Sequence, residues 1–303
     1  MHFSNYRPSE TEAPSRGPGI LRRAGVVSSV VVAAAVAFAA SAAGASAEPA
    51  DADVSSPDVA AVDFAGTVAL SNCSGSVVRM PNSADDDPAF VMTNAHCLEA
   101  GMPAPGEVIV DEPSDRSFSL LDAEANEVAT LTASKIAYAT MTDTDIALYE
   151  LTSTYADISS EHGVDALPLR AEKAAEGTAI TVVSGYWKET YSCSIDGFVY
   201  ELHEADWVWK DSLRYTTECK TIGGTSGSPV LDDATGEVVG VNNTGNESGE
   251  ECTMNNPCEV DENGNVEVRQ GTNYGQQSYL ATACVDEGNQ INLELPDCAL
   301  PKP

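Results

Sequence analysis

The stretch TIGGTSGSPVLDD, residues 221–233, places Ser226 in a glycine-rich run directly before an apolar pair. Glycine adopts positive φ angles as readily as negative ones, so such a run permits turns that other residues resist. One interpretation is a plain turn that leads into a buried strand. The other is that the turn aims its backbone amides at a bound group, and the rest of the sequence decides between the two.

Short β-rich runs flank this stretch on both sides. TVALSNCSGSVVRM and DIALYEL precede residue 166, and TAITVVSGYW and EVVGVNN follow it, with the polar, helix-prone EHGVDALPLRAEKAAEG between the two sets. Many short strands with few helices indicate an all-β sandwich or a pair of barrels. We therefore expect one β-barrel over residues 63–165 and a second over 166–303, the latter including a disulfide-bonded C-terminal tail.

The first 47 residues have the pattern of an export signal. A polar region with four arginines precedes the apolar run AGVVSSVVVAAAVAFAASAAG, and ASA follows at residues 45–47. This order is typical of a secretory signal peptide cleaved before Glu48. The alternative is a retained membrane anchor, because the run approaches the length that spans a bilayer. Residues 48–62, rich in Ala, Asp and Pro, read as a short pro-segment or flexible arm.

The chain is strongly acidic, with a formal net charge of −32. So negative a surface repels nucleic acid and anionic lipid and keeps a protein soluble. We expect no nucleic-acid partner, no membrane association after signal removal, and a monomer.

Cysteine usage points to an oxidising compartment. All eight cysteines follow the signal, which in an exported chain indicates disulfides. Zinc is the competing interpretation, but no C-x-x-C occurs and histidines are not interleaved with the cysteines. The sequence alone allows 105 pairings. The cysteines are Cys73, Cys97, Cys193, Cys219, Cys252, Cys258, Cys284 and Cys298.

Two further residues give Ser226 a chemical context. His96 ends the apolar run in FVMTNAHC, and Asp145 precedes the alternating strand pattern in TDTDIALYEL. Each residue alone has an ordinary structural interpretation. The order His, Asp, Ser, however, is one in which a base, an orienting acid and a nucleophile recur.

The three segments TNAHC, DIAL and GTSGSP resemble the signatures of the chymotrypsin/trypsin-like serine protease family, most closely its secreted bacterial branch. The resemblance spans roughly residues 62–245. It implies two six-stranded antiparallel β-barrels with an active site in the cleft between them. It also implies a secreted serine endopeptidase that cleaves protein or peptide substrates through an acyl-enzyme, with no cofactor and no metal.

The resemblance assigns a role to each residue. His96 would deprotonate Ser226, and Asp145 would fix the imidazole tautomer and stabilise the imidazolium. The amides of Gly224 and Ser226 would form an oxyanion hole. Cys73 would pair with Cys97. Nearest-neighbour pairing suggests the remaining three disulfides: Cys193–Cys219, Cys252–Cys258 and Cys284–Cys298.

Substrate preference is less clearly written in the sequence. Lys220 falls where trypsins have a pocket aspartate, so a preference for Lys or Arg is not expected. Inside the pocket Lys220 would favour Glu or Asp, and outside it would have no effect. Thr221 resembles a pocket threonine of bacterial glutamyl endopeptidases, but Asn242 replaces the histidine of that group. The segment Asn242, Asn243 and Thr244 would pair with the substrate backbone as an edge strand.

Two features of the sequence depart from the expected pattern or allow another interpretation. Thr225 replaces the aspartate that animal members use on activation, so that zymogen switch should be absent. The run DENGNVEV suggests either a calcium loop or, with Gly264 at its fourth place, an Asn-Gly hairpin.

A non-catalytic binding module on a protease scaffold remains the alternative function. An α/β-hydrolase is disfavoured because it requires the order Ser, Asp, His.

Overall fold

The computed structural model describes residues 62–303. The signal peptide and nearly all of the pro-segment predicted from the sequence therefore lie outside the described residues. Within residues 62–303, no helix has the length and hydropathy needed to cross a bilayer.

The first sheet closes into an antiparallel barrel. The ring runs β1-β5-β6-β7-β3-β2 and closes through the pairing of β1 with β2, so six strands share a continuous ladder. Closure leaves no open edge in the ring, which removes unpaired backbone groups. Its strands are β1 (Thr67–Ala69), β2 (Ser74–Arg79), β3 (Pro88–Thr93), β5 (Ser117–Leu121), β6 (Glu127–Thr140) and β7 (Ile146–Thr154), with β4 (Val108–Pro113) paired to β6 and β8 (Leu167–Pro168) to β2.

The second sheet closes in the same way. Its ring runs β11-β16-β13-β12-β9-β10 and closes through the pairing of β11 with β10. The expected all-β fold of two six-stranded barrels is therefore confirmed. The strands are β9 (Ala179–Ser184), β10 (Glu189–Glu204), β11 (Trp207–Tyr215), β12 (Pro229–Asp232), β13 (Val238–Gly245) and β16 (Asn273–Gln277), with the hairpin β14 (Cys258–Val260) and β15 (Val266–Glu267) added to β10.

The junction between the barrels differs slightly from the predicted boundary at residue 165. The connection contains the helix α1 (Tyr155–His162), and the short strand β8 then pairs in parallel with the end of β2. Residues 167–168 therefore belong to the first sheet, because the chain follows this edge before crossing over. The helix starts where Thr154 and Asp157 form a capping box, in which each side chain accepts the other's backbone N–H.

The C-terminal tail packs against the first barrel as well as the second. It contains α2 (Tyr279–Thr282) and the two-residue strands β17 (Val285–Asp286) and β18 (Gln290–Ile291). Leu300, 3 % exposed, lies in a core cluster with Phe90 of β3 and Leu231 of β12. The Tyr138 hydroxyl donates to the Pro301 carbonyl at 2.9 Å. The tail thus covers the seam between the barrels.

The loop that carries Asp145 is fixed by the β10–β11 hairpin. The Asp143 amide donates to the Val208 carbonyl at 3.2 Å, and the Lys210 amide donates to the Asp143 carbonyl at 2.8 Å. The Trp209 indole, almost fully buried, donates to the Met141 carbonyl at 3.1 Å. Contacts from the second barrel therefore position an acid that belongs to the first.

Candidate active site

His96 and Asp145 form a short, buried pair. Nδ1 of His96 lies 2.6 Å from Oδ2 of Asp145, whose carboxylate has no exposed surface. The other oxygen, Oδ1, accepts the backbone amides of Ala95 at 2.7 Å and of His96 at 3.1 Å. These amides belong to a short 3₁₀ turn, Ala95–Cys97, that follows β3. The turn that carries the imidazole therefore also holds the carboxylate through Oδ1. The other oxygen, Oδ2, fixes the orientation of the ring through Nδ1.

A disulfide ties this turn to the neighbouring strand. Cys97 bonds to Cys73, directly before β2. The other three disulfides are Cys193–Cys219, Cys252–Cys258 and Cys284–Cys298, the pairs expected from the sequence. Cross-linking of this kind restricts the unfolded chain and is worth about 2–4 kcal/mol for each bond.

The turn that carries Ser226 is anchored to Ser74 of β2. The Ser74 amide donates to the Ser226 carbonyl at 2.8 Å, and the Ser74 hydroxyl donates to the Gly224 carbonyl at 3.2 Å. Gly227 has a φ of +81°, and a Cβ there would lie 2.1 Å from the Ser74 carbonyl oxygen. Only glycine fits this position, so the approach of the two barrels requires the glycine that the sequence supplies.

A tryptophan holds the peptide group before Gly224. Nε1 of Trp187 donates to the Gly223 carbonyl at 2.8 Å. In a planar trans peptide the carbonyl and the following N–H point in opposite directions, so this bond also sets the direction of the Gly224 N–H. Gly224 itself has a φ of +92°, and a Cβ there would lie 2.9 Å from both the Trp187 Nε1 and Tyr186 Cδ1.

Two backbone donors in this turn are free. Among residues 62–303, neither the Gly224 N–H nor the Ser226 N–H donates to a protein acceptor, whereas the Thr225 N–H between them bonds to the Ile222 carbonyl at 3.0 Å. Unpaired backbone donors beside a cleft are able to bind an anionic oxygen.

The Ser226 hydroxyl donates to the Asn243 carbonyl at 3.2 Å. Ser226 and His96 line the same cleft, but the hydroxyl is bonded to β13 rather than to the imidazole. Burial lowers the pKa of His96, yet the negative charge of Asp145, with a further contribution from Glu204, outweighs burial and raises the pKa above its ordinary value.

The cleft is walled by both barrels. Glu204 at the end of β10 is only 4 % exposed, and its oxygens accept the Thr244 hydroxyl at 2.6 Å and the Asn255 amide at 2.8 Å. Burial raises the pKa of the Glu204 carboxyl, although these two hydrogen bonds oppose that effect. Apolar walls come from residues of both barrels: Met102, Met141, Trp207, Trp209 and Met254.

One side of β13 is open beside Ser226. The ladder with β12 ends at the pair Val241–Pro229, whereas pairing with β16 continues to Gly245 and skips Asn243 at a bulge. Thr244 and Gly245 therefore have a ladder partner on one side only, and Asn243 has none on either side. An extended peptide could add to the free side as a further strand.

The structure brings together most of the residues singled out from the sequence. His96, Ser226, Thr221 and the segment 242–244 line one cleft, with Asp145 buried behind the histidine. Lys220 is exposed and is not among the lining residues, so it has the outward orientation considered above.

Sequence reasoning missed three contributors to this site: Ser74, Trp187 and Glu204. Each acts through a partner far along the chain, for instance Ser74 with Gly224, 150 residues away. Trp207 and Trp209 of β11 pack against a core cluster and also line the cleft. A strand-end acid and a turn tryptophan carry no local signal of a site.

One cluster of potential metal ligands occurs in the described part of the chain, formed by Cys73, His96 and Cys97. Its two sulfurs are bonded to each other in a disulfide. A metal requires thiolates, so this cluster does not fit one.

The fold and the buried His–Asp pair beside a cleft serine define a two-barrel, protease-type protein. The sequence profile of the trypsin-like peptidase domain family matches residues 73–241, more than half of the chain. The chain belongs to this family.

Similar solved structures share 12–17% sequence identity with the chain. The protease domain of MamO from Magnetospirillum magneticum is 13% identical, with a TM-score of 0.45, covering 74% of this chain and 97% of that one. A chymotrypsin from Cellulomonas bogoriensis is 16% identical, with a TM-score of 0.38 and coverages of 72% and 91%. A Glu endopeptidase is also 16% identical, with a TM-score of 0.40 and coverages of 71% and 85%. No curated protein gives a significant match.

Proposed function

We propose that this protein is a secreted serine endopeptidase with Ser226 as nucleophile, His96 as general base and Asp145 as the orienting acid. The observation that carries the proposal is the 2.6 Å contact between His96 Nδ1 and the buried Asp145 carboxylate, in a cleft shared with Ser226. A carboxylate on Nδ1 keeps the proton there and leaves Nε2 free to accept one.

The reaction follows from these roles. The Ser226 hydroxyl gives its proton to Nε2 of His96 as Oγ attacks the peptide carbonyl carbon. The resulting tetrahedral intermediate collapses, the C–N bond breaks, and His96 protonates the departing amine. In the second half of the reaction, His96 takes a proton from water as the water oxygen attacks the acyl-Ser226 ester carbon. The bond from that carbon to Oγ then breaks, His96 returns the proton to Oγ, and the acid is released.

The free N–H groups of Gly224 and Ser226 would stabilise the oxygen that becomes negative in each intermediate. Their lack of protein acceptors supports this role. One such donor typically contributes about 3 kcal/mol to lowering the barrier. The Trp187 and Ser74 contacts would keep the hole formed before substrate arrives.

A second candidate function is a non-catalytic binding module. The observation that favours it is the Ser226 hydroxyl, which bonds to the Asn243 carbonyl instead of to His96. For catalysis, rotation about the Ser226 Cα–Cβ bond must bring the hydroxyl to Nε2. A substrate N–H that takes over the Asn243 carbonyl would release the hydroxyl for this rotation.

The remaining expectations belong to the same proposal. Four disulfides fit an extracellular protein. We propose secretion after removal of residues 1–47, action as a monomer on protein or peptide substrates, and catalysis without metal or organic cofactor.

A fluorophosphonate probe tests the proposal. The mature protein is incubated with the probe, with Ser226→Ala as the matched control, and the label is located by peptide mapping. Label on Ser226 together with cleavage of casein is the expected result. Correctly disulfide-bonded protein that takes no label and cleaves nothing would favour the binding module.

A further inference from the structure

Some polar side chains of the cleft are fixed as hydrogen-bond acceptors, which the sequence does not reveal. The first of them is Asn242. Nδ2 of Asn242 donates to the Thr225 carbonyl at 3.2 Å and to the Thr225 hydroxyl oxygen at 3.1 Å. That hydroxyl gives its own proton to the Ile222 carbonyl at 2.5 Å, so both Thr225 oxygens act as acceptors toward Asn242. The amide orientation is therefore fixed, and Oδ1 is left over.

This remaining oxygen is unsatisfied. Asn242 is 2 % exposed and lines the cleft, and its Oδ1 has no hydrogen-bond partner among the described residues. A buried carbonyl oxygen without a donor is costly, so it favours a ligand that supplies one.

Asn273 repeats the arrangement on the neighbouring strand. Its Nδ2 donates to the Cys219 carbonyl at 2.7 Å, which leaves Oδ1 without a donor from residues 62–303, again on a residue that lines the cleft. A Cβ on Gly245 would lie 2.0 Å from this Oδ1, so the absent side chain is what makes room for it.

The other neutral polar groups do not set a polarity. The Thr221 hydroxyl is able to donate or accept. Both polar atoms of the buried Asn243 side chain lack a close hydrogen-bond partner within the described structure, and its amide instead helps to raise the pKa of His96, so Asn243 is assigned no part in the preference of the cleft.

The charged residues of the cleft favour the same kind of ligand as its fixed acceptors, namely one that donates hydrogen bonds. Glu204 is buried in its wall and Glu247 is exposed at its rim. Among the described residues, no Lys or Arg lines it, and Lys220 points elsewhere. A carboxylate that entered would lose water, meet fixed acceptors and face two acids, each of which disfavours its charged form.

We propose that the cleft binds, at the residue before the scissile bond, a side chain that donates hydrogen bonds, either a carboxamide or a cation, and disfavours Glu and Asp. This inference rests on the proposed function for the position of the residue relative to the cut. It departs from the sequence analysis, in which Lys220 argued against a preference for Lys or Arg and, together with Thr221, left an acidic preference open.

Binding to a variant that does not turn over separates this inference from catalysis. Full-length mature Ser226→Ala protein is titrated with fluorescein-labelled Ala-Ala-Pro-X peptide amides, with X as Gln, Glu, Lys or Leu. Gln and Glu are the decisive pair because they differ in polarity but hardly in shape. We expect Kd for the Gln or the Lys peptide to be at least about tenfold lower than for the Glu and Leu peptides.

A charge reversal at the rim sharpens the test. Glu247→Lys should narrow the preference for Lys over Glu severalfold, since it exchanges an attractive for a repulsive charge. Glu262→Lys makes the same change of net charge on the exposed β14–β15 turn and should leave the ratio unaltered. Tightest binding of the Glu or Leu peptide, equal affinity for all four, or no binding would overturn the inference. Failure of the proposed function is read separately, from the absence of fluorophosphonate label on Ser226.

Discussion

The indole of Trp187 fixes the peptide group on which the Gly224 N–H is carried, through a 2.8 Å hydrogen bond to the Gly223 carbonyl. Trp187→Phe keeps the ring but removes the donor. The peptide group is then free to rotate, so we expect kcat to fall about 10- to 100-fold with little change in KM.

Tyr186→Phe is the matched control, because it keeps the ring that packs edge-on against Trp187 and removes only a hydroxyl. A spectroscopic signature separates positioning from general damage: the oxyanion pKa of a ¹³C-labelled chloromethyl ketone adduct should rise in Trp187→Phe. An unchanged oxyanion pKa would show that the indole does not orient the donor.

The pH dependence should follow His96. A general base works only when neutral, and the pKa of His96 is raised above its ordinary value of 6.5. The acid limb of kcat/KM should therefore have its midpoint above pH 6.5, with activity gained as pH rises through it. A midpoint below 6.5 would contradict this electrostatic description.

Glu204→Gln tests one origin of that shift. Removal of this negative charge takes away a contribution that raises the pKa of His96, so the acid limb should move to lower pH. Loss of the Thr244 or Asn255 hydrogen bond alone would lower stability without moving the limb. The kcat/KM profile and the free energy of unfolding, measured on the same preparation, distinguish the two effects.

The disulfides should differ in what they contribute. Cys73–Cys97 closes a separation of 24 residues, whereas Cys252–Cys258 closes only 6. Replacing the first pair by alanine should lower the free energy of unfolding by about 3 kcal/mol, and the second by less, because a longer loop restricts the unfolded chain more. Chemical denaturation provides the measurement; a larger loss from the short loop would contradict the loop-length argument.

Leu300 tests whether the tail is structural. Leu300→Ala should cost about 2–5 kcal/mol, since the side chain is buried in a core cluster shared by both barrels. Lys302→Ala, whose side chain makes an exposed ion pair with Glu294, is the control and should change stability little. Equal stability of the two variants would mean that the tail is only loosely attached.

The sequence predicted those parts of the molecule that are encoded locally. The strand patterns and the segments around His96, Asp145 and Ser226 could be recognised because each is contiguous in the sequence. The contacts of Trp187 with Gly223 and of Ser74 with Gly224 depend on how the barrels dock, and no periodicity records that. The orientation of Lys220 and the donor and acceptor directions of the Asn242 amide could not be predicted either, because both depend on neighbours distant in sequence.

Because Ser74 hydrogen-bonds the carbonyls of Gly224 and Ser226, the turn that carries Ser226 depends on the other barrel for its conformation. A chimera that joined this second half to a foreign first half would keep the serine and its glycines. It would lose the hydrogen bonds from Ser74 that hold the turn. The two halves must therefore be exchanged together if the conformation of this turn is to be kept.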